Sequence, residues 1–206
     1  MKKLEPRVFV VDDDVSVRRA LERLIKSVHI EVETYETAEE FLSRLPYEGP
    51  SCLVLDIRMP GLSGLDLQEE LKKANNVLPI IFMTGHGTIP MSVRAMKAGA
   101  IDFLEKPFED QALLDLIKHA IECDKQNKAQ NGKNQELMQH FESLTSREKE
   151  VFTEVVSGKL NKQIAFQLGI SEKTVKVHRA NVMRKMRAES LADLVHISGK
   201  LPKTKV

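Results

Sequence analysis

The feature that most limits what this chain can become is an alternation running through roughly its first 120 residues. Short apolar runs that stop abruptly on a polar side chain take turns with stretches whose apolar residues recur at helical spacing. Residues 7–11 form a β-branched run that stops at Asp12. Val17, Ala20, Leu21, Leu24, Ile25 and Val28 then line one face of a helix. Residues 31–35 read as a second strand. Thr37 with Glu40 predicts a capping box that opens a helix burying Ala38, Phe41, Leu42 and Leu45. Residues 52–55 lead to Asp56 and 79–83 lead to Thr84, with helices over 65–71 and 93–98. A last strand near Phe103 and Leu104 precedes a helix carrying Ala112, Leu113, Leu116, Ile117, Ala120 and Ile121. Five strands alternating with five helices predict a doubly wound α/β domain, a parallel sheet covered on both faces. In such sheets functional groups gather beyond the carboxyl ends of the strands. Here those groups are Asp12, Asp13, Asp56, Thr84 and Lys106. Any one alone reads as a solvated loop residue; three acids, a hydroxyl and a lysine on one rim read as a site.

The rest of the 206 residues has another character, which the formal charge of +1 conceals. Residues 1–122 carry 15 basic and 21 acidic side chains, a net of −6, whereas residues 123–206 carry 16 and 9, a net of +7. A basic half joined to an acidic one points to nucleic acid as the partner of the second half. Residues 123–141, rich in Asn, Gln and Lys with Gly132 near their centre, read as a linker that is helical only towards its ends. Beyond it, Thr145 and Glu148 form a capping box and Gly158 closes the helix they open. Asn161 opens a short helix carrying Ile164, Ala165 and Leu168, Gly169 ends it, and Ser171 leads into a longer one. Residues 190–197 form a fourth helix. A short helix, a Gly-containing turn and a second helix are the helix-turn-helix signature. On the longer helix Val175, Val182 and Met186 make the stripe that faces the bundle. Lys173, Lys176, Val177, Ala180, Asn181 and Arg184 are turned away from it.

Several classes are excluded at once. Cys52 and Cys123 are too few for a disulfide framework and show no metal-ligand spacing. No apolar run approaches the roughly 20 residues of a membrane span. The N-terminal MKKLEPRVFVVDDD reaches acidic residues too soon for a secretory segment. The expected setting is a reduced cytoplasm, away from membranes.

Four blocks occur together: VFVVDDD at 8–14, LVLDIRMPGLSG at 53–64, FMTG at 82–85 and FLEKPF at 103–108. On these blocks residues 5–122 resemble a response-regulator receiver domain. The resemblance implies the strand order 2-1-3-4-5, with Asp56 accepting a phosphoryl group from the phosphohistidine of a sensor histidine kinase. It also implies Mg2+ held by Asp12, Asp13, Asp56 and the backbone carbonyl of Arg58. Lys106 would pair with the phosphoryl oxygens, Thr84 and Phe103 would form the switch, and the bond to Pro107 would be cis. The residue types suit that chemistry. A carboxylate can attack phosphorus to form an acyl phosphate, its acidic neighbours call for a divalent cation, and a lysine supplies a compact positive charge. Gly85, where the family often has Ala, is expected to leave the pocket open and to loosen the following loop. Arg58 and His86, each two residues past Asp56 or Thr84, are placed to shield or admit water. Asp14 reads as a solvated acid.

KQIAFQLGISEKTVKVHRANVMRKM carries a second resemblance, to LuxR-type helix-turn-helix domains, over about residues 142–200. It implies that the early exposed face of the longer helix enters the major groove of double-stranded DNA. Lys176 suits guanine, and Val177 and Ala180 suit thymine methyl groups. Lys162, Thr174, Arg179 and Lys185 suit phosphates. Related domains dimerise through the last helix, here around Leu191, Leu194 and Val195.

Together the two halves resemble two-component response regulators of the NarL/FixJ family, most like the FixJ type. The expectation is a receiver over 1–122, a linker over 123–141 and a DNA-binding domain over 142–206. Phosphorylation would promote dimerisation and DNA binding. Activation through RNA polymerase is the expected sense, and the only enzymatic steps would be the receiver's own phosphoryl transfer and autodephosphorylation. Two other readings compete. Asp12-Asp13-Asp14-Val15-Ser16 loosely fits the DxDx pattern of haloacid-dehalogenase-type phosphatases, with Asp12 as nucleophile and Asp14 as general acid. That reading lacks a downstream acidic metal pair and leaves the helix-turn-helix unexplained. The other is DNA binding with a vestigial pocket, against which stand the intact Asp13, Asp56, Thr84 and Lys106.

Overall fold

A computed structural model of the chain describes residues 4–85 and 89–201. His86 lies outside the described residues. The chain divides into two compact units, residues 1–128 and 129–206. Among the described residues no helix is long and apolar enough to cross a membrane.

The first unit contains β1 (Arg7–Val11), α1 (Val15–Ser27), β2 (Glu31–Tyr35), α2 (Ala38–Arg44), β3 (Ser51–Asp56), α3 (Gly64–Lys73), β4 (Ile80–Thr84), α4 (Ile89–Lys97) and β5 (Asp102–Glu105). The strands form one parallel sheet in the order β2-β1-β3-β4-β5, the order the resemblance implies. Because side chains alternate along a strand, each strand feeds two cores. Phe9, Val11, Leu53, Leu55 and Phe82 pack with Phe41, Leu67 and Leu71 on one face. Val8, Val10, Val54, Ile81 and Met83 pack with Leu21, Ile25, Leu113 and Ile117 on the other. β3 lies in the middle and is buried at all six positions.

Local chemistry explains the helix boundaries, including those the sequence misplaced. Asp14 is more than a solvated acid: its side chain caps α1 by accepting the Ser16 N–H at 2.7 Å. Thr37 caps α2, but Glu40 reaches back to the N–H of Glu36, not to that of Thr37, so the box closes one residue early. α4 begins at Ile89 instead of 93, since Pro90 in a first turn forfeits no helical hydrogen bond. Ala95 is the only residue α4 buries.

The segment expected to be a linker is helical throughout, inside α5 (Asp110–Glu142). Asn, Gln and Lys without proline are compatible with a helix, and polar pairs at helical spacing support it. Lys125 pairs with Glu122 at 3.0 Å and Gln130 with Asn134 at 3.1 Å.

The second unit adds α6 (Ser146–Val156), α7 (Asn161–Leu168), α8 (Glu172–Lys185) and α9 (Leu191–Ser198). Val151, Phe152, Val155, Ile164, Val175, Val182, Met186, Leu194 and Ile197 fill its core. The predicted Thr145–Glu148 capping box is present, with Glu148 accepting the Thr145 N–H at 2.9 Å. α7 starts on Leu160 as cap, and Gln163 accepts its N–H at 2.8 Å; Asn161 is one residue inside. Gly169 ends α7 at φ 65°, where a side chain would be strained. Leu194 is a core residue, so of the three positions expected to mediate dimerisation only Leu191 and Val195 are exposed.

Candidate functional site

Four strand ends converge on one pocket in the first unit. β1 delivers Asp12, β3 delivers Asp56, β4 delivers Thr84, and the turn after β5 delivers Lys106. Asp12, Asp56 and Thr84 are buried. The Lys106 ammonium lies 2.7 Å from Asp12 Oδ2 and 2.7 Å from Asp56 Oδ1, so it bridges the two carboxylates. The remaining carboxylate oxygens are held from below. Asp12 Oδ1 accepts the Asp14 N–H at 2.9 Å, and Asp56 Oδ2 accepts the Arg58 N–H at 2.6 Å. The Lys106 N–H donates to the Thr84 carbonyl at 2.7 Å, which ties the turn to β4. The Lys106–Pro107 bond is cis.

Electrostatics follow from this packing. Burial raises the Asp12 pKa above its usual value, and the hydrogen bond and charge of Lys106 offset part of the rise. Burial pulls Lys106 down, but its hydrogen bonds to Asp12 and then Asp56 outweigh that and raise it overall. The two acids therefore already share one cation. Two hard oxygen donors that accommodate a single positive centre also suit Mg2+, which needs only one or two carboxylates and completes its shell with water. Asp13 is exposed at the rim beside them. Among the described residues no three His, Cys, Asp or Glu side chains are grouped so that they could hold a metal ion, so Asp13 does not join Asp12 and Asp56 in a ready-made set.

Gly64, at the start of α3, is a steric constraint beside Asp56 that sequence reasoning missed. A methyl group there would overlap the backbone carbonyl of Asp56. The signal was available in the GLSG block, where a glycine opens a helix directly after the loop that follows Asp56. Gly85 is exposed with open space where a Cβ would lie, and the loop it was expected to loosen falls outside the described residues. Phe103 is half-buried and packs against the core that contains Phe82 and Ala95.

The second unit sorts its candidate DNA contacts into two groups. Lys162, Lys173, Lys176, Val177, Ala180 and Arg184 are exposed, while Asn181 is half-buried. Thr174, Arg179 and Lys185 have partners inside the fold. The Thr174 N–H donates to the cap Ser171 at 3.1 Å, and Arg179 donates to Asn161 at 3.0 Å. Lys185 donates to Glu148 at 2.6 Å and to the Ser143 carbonyl at 3.0 Å. Lys185 therefore braces α8 against α6, a role its position on the helix face did not suggest.

Comparison with known proteins follows the same division. The family described as response regulator receiver domain matches residues 8–118, and bacterial regulatory proteins, luxR family, match residues 142–198. Nodulation protein W of Bradyrhizobium diazoefficiens is 52% identical over 191 residues, covering 93% of this chain and 84% of that protein. Response regulator protein TodT of Pseudomonas putida is 45% identical over 194 residues, covering 94% and 86%. The solved structure of response regulator StyR superimposes with a TM-score of 0.86 at 52% identity, covering 96% of this chain and all of that one.

Proposed function

The chain belongs to the response regulators that join a receiver domain to a LuxR-family DNA-binding domain, phosphorylation-gated regulators of transcription, and on that premise we propose that Asp56 is its phosphoacceptor. The observation that carries this assignment is the single ammonium shared by Asp12 and Asp56. Lys106 sits where it can follow the charge as it moves from a carboxylate onto phosphoryl oxygens.

A carboxylate oxygen of Asp56 attacks the phosphorus of the kinase's phosphohistidine, the bond to imidazole breaks, and an acyl phosphate remains. Asp12, Asp13, Asp56 and the Arg58 carbonyl would hold Mg2+, which when bound would supply positive charge against the crowded oxygens. The Arg58 N–H holds the other Asp56 oxygen in place, and Lys106 pairs with the transferred group. The product carries about two negative charges and three acceptor oxygens. Thr84 then donates to it, and Phe103 repacks.

Taking a two-state protein from 1:99 to 99:1 requires about 5.5 kcal/mol. One hydrogen bond to a charged group contributes about 1.5–3 kcal/mol, so Thr84, Lys106 and repacking act together. The element that would rearrange with Phe103 is α4, whose outer face carries Ile89, Val93 and Met96 in solvent. Covering that face in a homodimer, with Leu191 and Val195 pairing in the second unit, places two α8 helices on a two-fold site. There Lys173, Lys176, Val177, Ala180, Asn181 and Arg184 read the groove, and Lys162, Thr174 and Arg179 position it. The protein acts in the cytoplasm as an activator working through RNA polymerase, and it loses its phosphoryl group by autodephosphorylation.

The assignment is tested with a small-molecule phosphoryl donor and mass spectrometry. Label is expected in the wild type and in Asp12→Asn, and absent in Asp56→Asn. Label that survives in Asp56→Asn and vanishes in Asp12→Asn would overturn the assignment in favour of phosphatase-type chemistry. No label at all would favour a vestigial pocket.

A further inference from the structure

Asp124 is a carboxylate with 1% exposure that the phosphoacceptor pocket does not use. It projects from α5 at the end of the sheet where β3 begins, the pole opposite Asp56. Its Oδ2 accepts the backbone N–H of Ser51 at 2.7 Å, the Ser51 hydroxyl at 3.4 Å and the Lys128 ammonium at 2.8 Å. Lys128, one turn further along α5, also donates to the carbonyls of Gly49 at 2.5 Å and Tyr47 at 3.1 Å. Two turns of helix thus hold the first residue of β3 and the loop that leads into it.

With Asp124 buried and Lys128 only half-buried, the pair is a modest source of net stability, because desolvating the carboxylate offsets much of the attraction. Its distinctive contribution is geometric. Ile121 is the last buried apolar side chain of α5 in this unit. Past Asp124 the helix is exposed at Lys125, Gln126, Asn127 and Ala129 to Lys133, with only Lys128 held. Gly132 within that stretch lowers helix stability by about 1 kcal/mol relative to alanine, and no atom approaches the position its Cβ would take. A helical stretch without tertiary contacts opens more readily than its anchored flanks, here Ile121 on one side and Leu137 and Phe141 on the other. With Asp124 and Lys128 in place, the secured part ends at Lys128, where the compact unit itself ends. Without them it ends near Ile121, seven residues or about 10 Å of helix earlier.

We propose that Asp124 and Lys128 form a latch that extends the rigid receiver to Lys128, and that passage of the phosphorylation signal along α5 depends on it. The proposal rests on Asp56 being the acceptor. β3, buried at every position, is then a rod with the acceptor at one end and the latch at the other. Asp124 and Lys128 are positioning residues; neither touches the phosphoryl group.

The test uses the full chain, phosphorylated by a small-molecule donor, with DNA fragments selected by the phosphorylated wild type. Hydrogen exchange in the wild type should show protection through Lys128 and faster exchange over 129–133. Asp124→Ala should speed exchange over 122–128 at least tenfold and leave labelling of Asp56 within twofold. Its stimulation of DNA binding by phosphorylation should fall at least fivefold. Lys128→Met keeps the contact from Asp124 to Ser51 and should lose part of both effects, which provides a reading if Asp124→Ala does not fold. Ile25→Val, a core change of modest cost, controls for lowered stability and should retain full stimulation. Wild-type protection that ends at Ile121 would overturn the latch. So would full stimulation in both latch variants, or an equal loss in Ile25→Val. A wild type with no stimulation at all would instead count against the proposed function, because the exchange boundary still reports on the latch.

Discussion

Glu148 offers the most direct test of how the DNA-binding unit is braced. Its side chain is almost fully buried and performs two tasks. It closes the capping box of α6 by accepting the Thr145 N–H, and it receives the Lys185 ammonium at 2.6 Å. Losing a helix cap costs about 1 kcal/mol, and losing a hydrogen bond to a charged group costs about 1.5–3 kcal/mol. Glu148→Ala should therefore destabilise the second unit by about 3 kcal/mol. Glu148→Gln keeps the cap and should cost about half of that. For a unit this small, each kcal/mol lowers Tm by roughly 4–8 °C, so calorimetry of the full chain resolves both variants.

The dependence on pH has a definite sign. Lys185, and next the Thr145 N–H, hold the Glu148 carboxyl below its usual range. A depressed pKa contributes stability that is present above the unfolded value, near 4.5, and is lost as pH falls through the lower folded value. The gap between wild type and Glu148→Gln should be widest at neutral pH and close in acid. A variant as stable as wild type at pH 7, or a gap that widens in acid, would refute the reasoning. Lys185→Met should reproduce the Glu148→Gln loss while leaving the salt dependence of DNA binding unchanged. A shallower salt slope would instead place Lys185 on a phosphate.

Three further outcomes follow from the geometry. Gly64→Ala forces a methyl group against the Asp56 carbonyl; it should cost about 3 kcal/mol, an overpacking penalty, and slow Asp56 labelling, and normal labelling with unchanged Tm would show that the turn yields. Lys106→Met leaves two carboxylates facing each other without their shared cation. In chelator it should lower stability by about 2–3 kcal/mol, with the deficit narrowing when Mg2+ is added, and a deficit indifferent to Mg2+ would argue against metal binding between these acids. Lys176→Ala should weaken binding to a selected site by about 1–3 kcal/mol and relax preference at one base pair; uniform weakening across sequences, measured by competition, would move Lys176 to the backbone.

Periodicity and strand-end chemistry made the receiver half readable almost residue by residue. Each buried strand must stop where the sheet stops, and a parallel sheet brings all its carboxyl ends to one rim. Asp12, Asp56, Thr84 and Lys106 therefore meet even though up to 94 residues separate them in sequence. What stayed hidden depends on contacts made only after folding. Nothing in Asp124, set among Glu, Lys and Gln, distinguishes it from a solvated acid until β3 arrives beside it. Lys185 looked like a phosphate contact because helical spacing orders side chains around an axis without showing which neighbouring helix claims them. Leu194 was grouped with Leu191 and Val195 for the same reason. The middle of α5 has no apolar periodicity to mark it as a helix, and its Asn and Gly residues mask the helix-forming Lys, Gln and Glu among them.

The complete burial of β3 also governs where this protein can change over evolutionary time. None of its six positions faces solvent, so every substitution there disturbs a core, and its last residue is the proposed acceptor, Asp56. The opposite holds for the solvent side of α8, where Lys173, Lys176, Val177, Ala180 and Arg184 can vary without disturbing the packing beneath. Divergence between regulators of this design should therefore concentrate in which DNA is read, while β3 stays nearly frozen. An engineer who wishes to redirect the protein has the same freedom and the same constraint.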